Sequence, residues 1–372
     1  MKTLLIILLI VTGLAYLSQK QSMKYTHEDG RKHWDIFLVL LIVFLVLFAG
    51  LRTYYNDTAN YILGFKHSVN IYEFLGDMRN IEILNNPLFY GFQALIRTFT
   101  DNANIFLMLC AIVVNVLNIR FIKRNVEIED FALSMFIYVA LGTLMISIAA
   151  QKQILAMSIL TLALTRLFQK KYLSFYFIVF MAGLVHSYAW MFAVLPLLNS
   201  KPWTFKTYIM LLFTFVFMNT FQASIMRFLE VADEIGKDVP LEEVLDGNKM
   251  NIFRVLVYSI IPLVTLLFKN RLRNKYNEKT QIFIQMSIVS MLFMLMGTMN
   301  GANMFGRMGN YFEFGFICSL PWLIRELFNE KSVKLISITL VVCFISFYLY
   351  DNQGFEYGYH YKTITQFISE VV

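Results

Sequence analysis

The sequence predicts an all-α fold, a polytopic transmembrane helical bundle of about twelve spans, and three observations carry that prediction. Of 372 residues, 58% are hydrophobic and only 15% charged, whereas a soluble domain carries about a quarter charged residues. The apolar residues gather in uncharged runs such as 36–51, 131–150 and 281–299. Crossing the hydrocarbon of a bilayer takes roughly 20 mostly apolar residues in a helix, with every backbone polar group satisfied inside it. Lys and Arg, finally, concentrate in alternate loops, as the positive-inside tendency requires. A barrel of the porin kind would show alternating ten-residue segments instead; the chain does not.

In chain order the expected spans are 3–17, 35–51, 104–122, 131–150, 154–168, 207–221, 252–268, 281–299, 308–324 and 335–350. The 27 residues 172–198 are read as two short spans meeting near His186. Residues 1–17 have the basic start and apolar core of a signal peptide. That core is long and no small-x-small site follows it, so the segment is expected to stay as the first span. Charge decides the split at His186. With one span over 172–198, the loop holding Lys269, Arg271, Arg273, Lys275 and Lys279 falls outside the cell. With two it falls inside. Cytoplasmic loops 18–34, 119–130, 166–171, 199–206, 269–279 and 325–334 then hold 20 of the 32 Lys and Arg residues, and both termini lie outside. Each half of the split segment, about 13 residues, must tilt or line a cavity.

The net charge of +7 is read as loops held beside anionic membrane lipid, not as a nucleic-acid surface. Cys110, Cys318 and Cys343 lie in apolar runs without metal-ligand spacing and read as inert thiols. No Ser/Gly linker or low-complexity tract interrupts the chain, so 1–372 reads as one integral membrane domain. Two external segments are long. In 52–103, an apolar patch from Pro87 to Phe99 suggests a re-entrant or interfacial helix. In 222–251, Ile225, Phe228, Leu229, Ala232 and Ile235 repeat at helical spacing before Pro240 opens a second turn. Short amphipathic helices over the external mouth fit this segment; a solvated loop is the other reading.

An ionisable side chain near the bilayer centre costs about 2.5–3.5 kcal/mol on insertion scales, so such residues usually face a cavity and a partner. With this topology the candidates share the external side. Arg52 and Asp57 follow the second span, and Gln151, Lys152 and Gln153 form a polar joint between two spans. His186 sits at the vertex of the split segment; Arg307 opens a late span, with Tyr311 one turn below and Glu313 deeper. Each has a bland alternative. Arg52 and Lys152 can snorkel at helix ends, His186 can pack in a core, and Glu313 can tie two helices together. Asn56-Asp57-Thr58 is formally a glycosylation sequon.

Taken together, these residues describe a pocket with fixed cations, carboxylates and many aromatic faces. Guanidinium groups fork onto phosphate oxygens and Lys supplies a point charge. Aromatic faces suit sugar rings and lipid chains. Such a set serves an enzyme of lipid-linked sugar phosphates: cations stabilise the departing diphosphate while a carboxylate or His takes a proton from an acceptor hydroxyl. No Gly-rich nucleotide loop, HExxH pair or Cys/His cluster appears, so no cofactor and no metal are expected.

At these positions the chain resembles the EpsG-like polysaccharide polymerases, relatives of the Wzy polymerases of O-antigen and capsule. The similarity rests on Gly50-Leu51-Arg52 with Asn56-Asp57-Thr58-Ala59-Asn60-Tyr61, then Asn86-Pro87-Leu88-Phe89-Tyr90 and Lys152-Gln153-Ile154-Leu155-Ala156. His186-Ser187 and Arg307-Met308-Gly309-Asn310-Tyr311-Phe312-Glu313 complete it. Two positions depart from the family pattern: Asn86 stands where an acid is usual, and Lys152 where Arg is. The resemblance implies a GT-C-like membrane glycosyltransferase in the bacterial cytoplasmic membrane, polymerising undecaprenyl-diphosphate-linked oligosaccharide repeat units on the extracytoplasmic face. It implies Arg52, Lys152 and Arg307 as diphosphate ligands, with Tyr61, Gln153 and Tyr311 beside them in substrate binding. Asp57, His186 and Glu313 supply the base or position the acceptor. A flippase and a chain-length regulator are the protein partners it suggests. Two other functions compete: a membrane O-acyltransferase centred on His186, and a transporter of lipid-linked sugars. A transporter predicts an internal repeat and charges near mid-membrane, neither of which is evident.

Overall fold

The computed structural model describes residues 1–29, 34–76, 85–234 and 247–371, and it divides the chain into two compact units. The first comprises Met1–Trp190 and Lys334–Val372, the second Met191–Val333. Where the sequence reads as one domain, both boundaries fall inside helical segments, so no change of composition marks them.

The first unit begins with α1 (Lys2–Asp29), α2 (Ile36–Gly50), strand β1 (Arg52–Tyr54), α3 (Thr58–Lys66), α4 (Ile71–Gly76) and α5 (Pro87–Arg97). It continues through α6 (Ala103–Asn125), α7 (Phe131–Ala140), α8 (Thr143–Ala149), α9 (Gln151–Phe168) and α10 (Tyr172–Val185). Asp35 caps α2 by accepting from the Leu38 amide, and Asn102 caps α6 through the Asn104 amide, supplying partners that the first turn of a helix lacks. Helix α6, 23 residues at about 1.5 Å each, is long enough for the roughly 30 Å of hydrocarbon. It packs on α2 and α9, α1 packs on α2 and α7, and α9 packs on α10. Gly50 lets α2 and α6 approach closely, since a Cβ there would meet the Met108 side chain and its Cα at 3.1 Å.

A 3₁₀ helix, Ser187–Leu198, leads into α11 (Phe205–Asn219), α12 (Phe221–Glu234), α13 (Ile252–Leu267), α14 (Lys269–Leu272), α15 (Glu278–Met296), α16 (Ala302–Asn310) and α17 (Glu313–Leu327). In the second unit α15 is central, packing on α11, α13, α16 and α17. It starts at a reciprocal Asn277–Thr280 capping box. The chain then re-enters the first unit through α18 (Glu330–Asp351), α19 (Phe355–Gly358), β2 (His360–Tyr361) and α20 (Ile364–Val371). Strand β2 pairs antiparallel with β1.

Among the described residues, four helices are long and apolar enough to cross a membrane alone: Lys2–Lys24, Ala103–Asn125, Glu278–Met296 and Glu330–Asp351. Two bent pairs raise the number to six. Helices α2, α10 and α13 and the 3₁₀ segment are apolar but shorter. Large apolar side chains face outward from several of these segments, Leu173 being 87% exposed and Phe205 79%. A lipid-covered surface accounts for them, where water does not.

Two local differences from the sequence reading stand out. The run 131–150 is two helices bent by 47°, because Gly142 takes φ +100° between them and only Gly adopts that conformation without strain. The helix expected over 308–324 begins at Glu313, and Arg307 lies in the preceding helix α16. The segment 172–198 breaks at His186 as expected, the extended backbone of that residue ending α10. Within the long segments 52–103 and 222–251 the structure has the helices α5 and α12; Ile235 and the turn at Pro240 lie outside the described residues.

Candidate functional site

At one end of the first unit, Arg52 is 0% exposed. Its Nε donates to Thr58 Oγ1 at 3.1 Å, and its other two nitrogens donate to the Ala49 carbonyl and to Gln151 Oε1. One guanidinium thereby ties the last turn of α2 to the first residues of α3 and α9. Its hydrogen-bond partners among the described residues are all neutral oxygens. Burial pulls its pKa down to about 10, so the group remains protonated at neutral pH.

Gln151 is followed by Lys152, whose Nζ donates to Tyr90 Oη at 2.7 Å. The same ammonium lies 4.4 Å from the Tyr90 ring centre and 5.2 Å from that of Phe89, a cation–π arrangement. Phe89 in turn meets Tyr61 edge to face at 6.1 Å. Pro87 at the first turn of α5 directs this helix so that Phe89 and Tyr90 reach α9 while Asn86, at φ +60°, turns the chain before it. Asp57 stands half-buried before α3; its carbonyl accepts from the Tyr61 amide at 3.0 Å, and its carboxylate makes no capping bond. Gln153 is buried against Met157.

His186 is half-buried at the end of α10, its ring edge-on to Tyr188 at 5.1 Å. Helices α9 and α10 pack together across the short turn 169–171, which returns His186 toward the end where Lys152 begins α9. The first unit therefore gathers Arg52, Asp57, Tyr61, Lys152 and Gln153, with His186 on the returning helix.

In the second unit Glu313 opens α17 and is 1% exposed. It accepts from Tyr258 Oη, and the Asn310 side-chain amide donates to it at 2.8 Å and to the Gly306 carbonyl at 2.9 Å. A carboxylate at a helix N-terminus is further favoured by the helix dipole. Arg307 is half-buried in the last turn of α16, with Nε donating to Asn303 Oδ1 at 3.1 Å. Tyr311 is buried, and Phe312 stacks on Phe192 and Phe293. Glu313 is thus a locked group, whereas Arg307 reaches the surface of its unit.

Tyr90, Tyr258 and Asn310 are absent from the residues expected from sequence. Tyr258 was signalled by its setting: a hydroxyl inside the apolar helix 252–267 must find a partner. Tyr90 and Asn310 lie within quoted motifs, but nothing in spacing alone ties them to Lys152 and Glu313. Among the described residues no three His, Cys, Asp or Glu side chains gather as metal ligands.

A family model described as the EpsG family matches residues 35–364, a stretch that takes in every residue of both clusters and strand β2. No curated protein and no solved structure matches the chain. With a match over most of its length and helices apolar enough to cross a bilayer, the chain is a membrane protein of polysaccharide synthesis and belongs to the EpsG family.

Proposed function

We propose that this protein polymerises undecaprenyl-diphosphate-linked oligosaccharide repeat units on the extracytoplasmic face of a bacterial cytoplasmic membrane, for an exopolysaccharide, capsule or O-antigen. The bond between the anomeric carbon of the growing chain and its lipid diphosphate breaks. A hydroxyl at the non-reducing end of a fresh lipid-linked unit forms the new glycosidic bond. Its proton goes to a carboxylate or imidazole, and the lipid diphosphate leaves with its electron pair. No nucleotide is consumed, because the donor arrives already activated.

The observation that carries this reading is the Lys152 ammonium held over Tyr90 and Phe89 beside the buried Arg52 cation. It pairs a fixed positive charge for a diphosphate with aromatic faces for a sugar or lipid chain. In this reading Lys152 contacts the diphosphate. Arg52, enclosed and already donating to Ala49, Thr58 and Gln151, contributes charge and holds the Gln151–Lys152 turn. Asp57, with no capping bond, and His186 are the groups for proton transfer. Glu313, locked by Tyr258 and Asn310, positions the Arg307–Tyr311 turn.

A GT-C-like arrangement of about twelve spans with both termini outside goes with this function. In its favour, the Thr3 amide and the N-terminal ammonium both meet Glu356, so the two ends of the chain share one end of the first unit, as an even number of crossings demands. A flippase supplying the units and a chain-length regulator are the partners this reaction calls for.

Deleting the gene in its host tests the reading. Lipid-linked single repeat units should accumulate without long polymer, and a Lys152→Met copy should fail to restore it. Normal polymer lacking acetyl groups would replace this reading with acyl transfer. Units trapped on the cytoplasmic face would replace it with transport.

A further inference from the structure

The last segment of the chain is built onto the strand that carries Arg52. Strand β2 pairs with β1, placing Tyr361 opposite Arg52 and His360 opposite Tyr54. The Lys362 amide donates to the Leu51 carbonyl at 2.9 Å. Tyr359 donates its hydroxyl to the Phe48 carbonyl at 2.5 Å and stacks on the Phe48 ring at 5.0 Å and on Phe355 at 4.9 Å. Beyond the strand, Glu370 receives Lys362 Nζ at 2.7 Å and the Asn104 amide at 3.3 Å, and its carbonyl receives Asn102. Upstream, Glu356 holds the N-terminus of α1. The segment 355–370 thus grips the starts of α1 and α6 and the end of α2 around one short strand.

Resting on the polymerase reading, we propose that Tyr359 and strand β2 are positioning elements for the diphosphate site. They hold β1 so that Arg52 meets Gln151, and Gln151 in turn sets the first turn of α9 and with it Lys152. The physical need is plain. A three-residue strand has no stability alone, and the Arg52 guanidinium fits its three acceptors only if its own backbone is fixed. Helix α2 ends two residues before Arg52, and without β2 the strand retains no ladder partner among the described residues. A tail that merely covered the protein would have no reason to hydrogen-bond Leu51 and Phe48, the residues that flank this turn.

The pairing suggests its own test. Tyr54 and His360 are directly opposed, with rings 5.9 Å apart, and residues so placed have Cα atoms about 4.5–5.5 Å apart, inside the range that a disulfide bridges. In a full-length chain with the exposed Cys343 changed to Ser, four variants are compared: Tyr359→Ala, Tyr359→Phe, Tyr54→Cys/His360→Cys, and Tyr359→Ala combined with the cysteine pair. Hydrogen exchange over 51–58 is read in detergent. Turnover is read in phosphatidylglycerol-containing vesicles, with lipid-linked repeat units prepared from the deletion strain as probe.

Tyr359→Ala should raise exchange over 51–58 and lower turnover by about tenfold, the effect of losing one or two hydrogen bonds of ordinary strength. Oxidising the cysteine pair should restore both in the combined variant, and reduction should remove the rescue. Tyr359→Phe, which keeps the stacking, should fall between. Faster exchange with unchanged turnover would overturn the inference, and so would unchanged exchange. If the oxidised cross-link alone stops turnover, the segment must leave during the cycle, and a moving lid replaces a fixed clamp. If the unaltered chain does not join repeat units, the polymerase reading fails, while the exchange data still report on the clamp.

Discussion

Helices α2 and α6 run side by side, and the two ends of the pair treat a buried charge in opposite ways. At one end Lys123 donates to Asp35 at 2.7 Å and to Ser18 at 2.9 Å, and both side chains of the ion pair are under a tenth exposed. Ser18 also donates to Asp35, while Asp35 caps α2, so one neutralised cluster joins α1, α2 and α6. At the other end Arg52 is equally enclosed but rests on neutral oxygens. A buried charge costs several kcal/mol of desolvation, and a partner of opposite sign repays part of it. The Asp35 end accepts this compensation and is structural. The Arg52 end leaves the positive potential standing, which suits a site that receives an anionic group.

Four measurements test this contrast, and the largest effect belongs to the neutralised end. Lys123→Met strands the Asp35 carboxylate and should cost about 3–5 kcal/mol, read as a lower unfolding temperature in detergent. Adding Asp35→Asn should recover most of it. A single variant as stable as the parent would mean that the pair is not dry in the membrane. Arg52→Gln should cost less, about 1–3 kcal/mol for acceptors left unpaired, yet abolish polymer. If polymer falls only as far as the loss of folded protein predicts, the Arg52 end is as structural as the other.

Lys152→Met should shift stability within about 0.5 kcal/mol, as for other partly exposed sites, while polymer is lost and Lys152→Arg retains it. Equal failure of both variants would show that the Tyr90 bond matters more than the charge. The smallest effect concerns pH. Hydrogen bonds from the N-terminal ammonium and the Thr3 amide hold the Glu356 carboxyl below its ordinary value. Its contribution is therefore complete above the ordinary glutamate range and fades as pH falls through the lowered value. Exchange at Thr3 should rise in acid, and in Glu356→Gln that acid dependence should vanish.

Much of this arrangement was legible along the chain. Helices α2, α6, α15 and α18 lie within a few residues of their expected spans, because uncharged apolar runs have few stable alternatives in a bilayer. The break at His186 followed from the Lys and Arg of distant loops. The bend at Gly142 was not evident, since Gly is common in membrane helices and only a packed neighbourhood decides whether it turns. Arg52 and Lys152 were recognisable as expensive residues at helix ends, but one proved enclosed and the other partly open, a difference set by Gln151, Thr58 and Tyr90.

Composition and the placement of charge were enough to establish a helical membrane protein and to single out its costly polar residues, because transfer into lipid is a property of each segment alone. Which groups satisfy those residues depended on the folded chain. Gln151 stands 99 positions from Arg52, and Tyr258 stands 55 from Glu313. The tail that pairs with β1 comes from the far end of the sequence. A hydrogen bond needs its atoms within about 3 Å, and contacts that short between distant residues arise from packing, which no local pattern encodes.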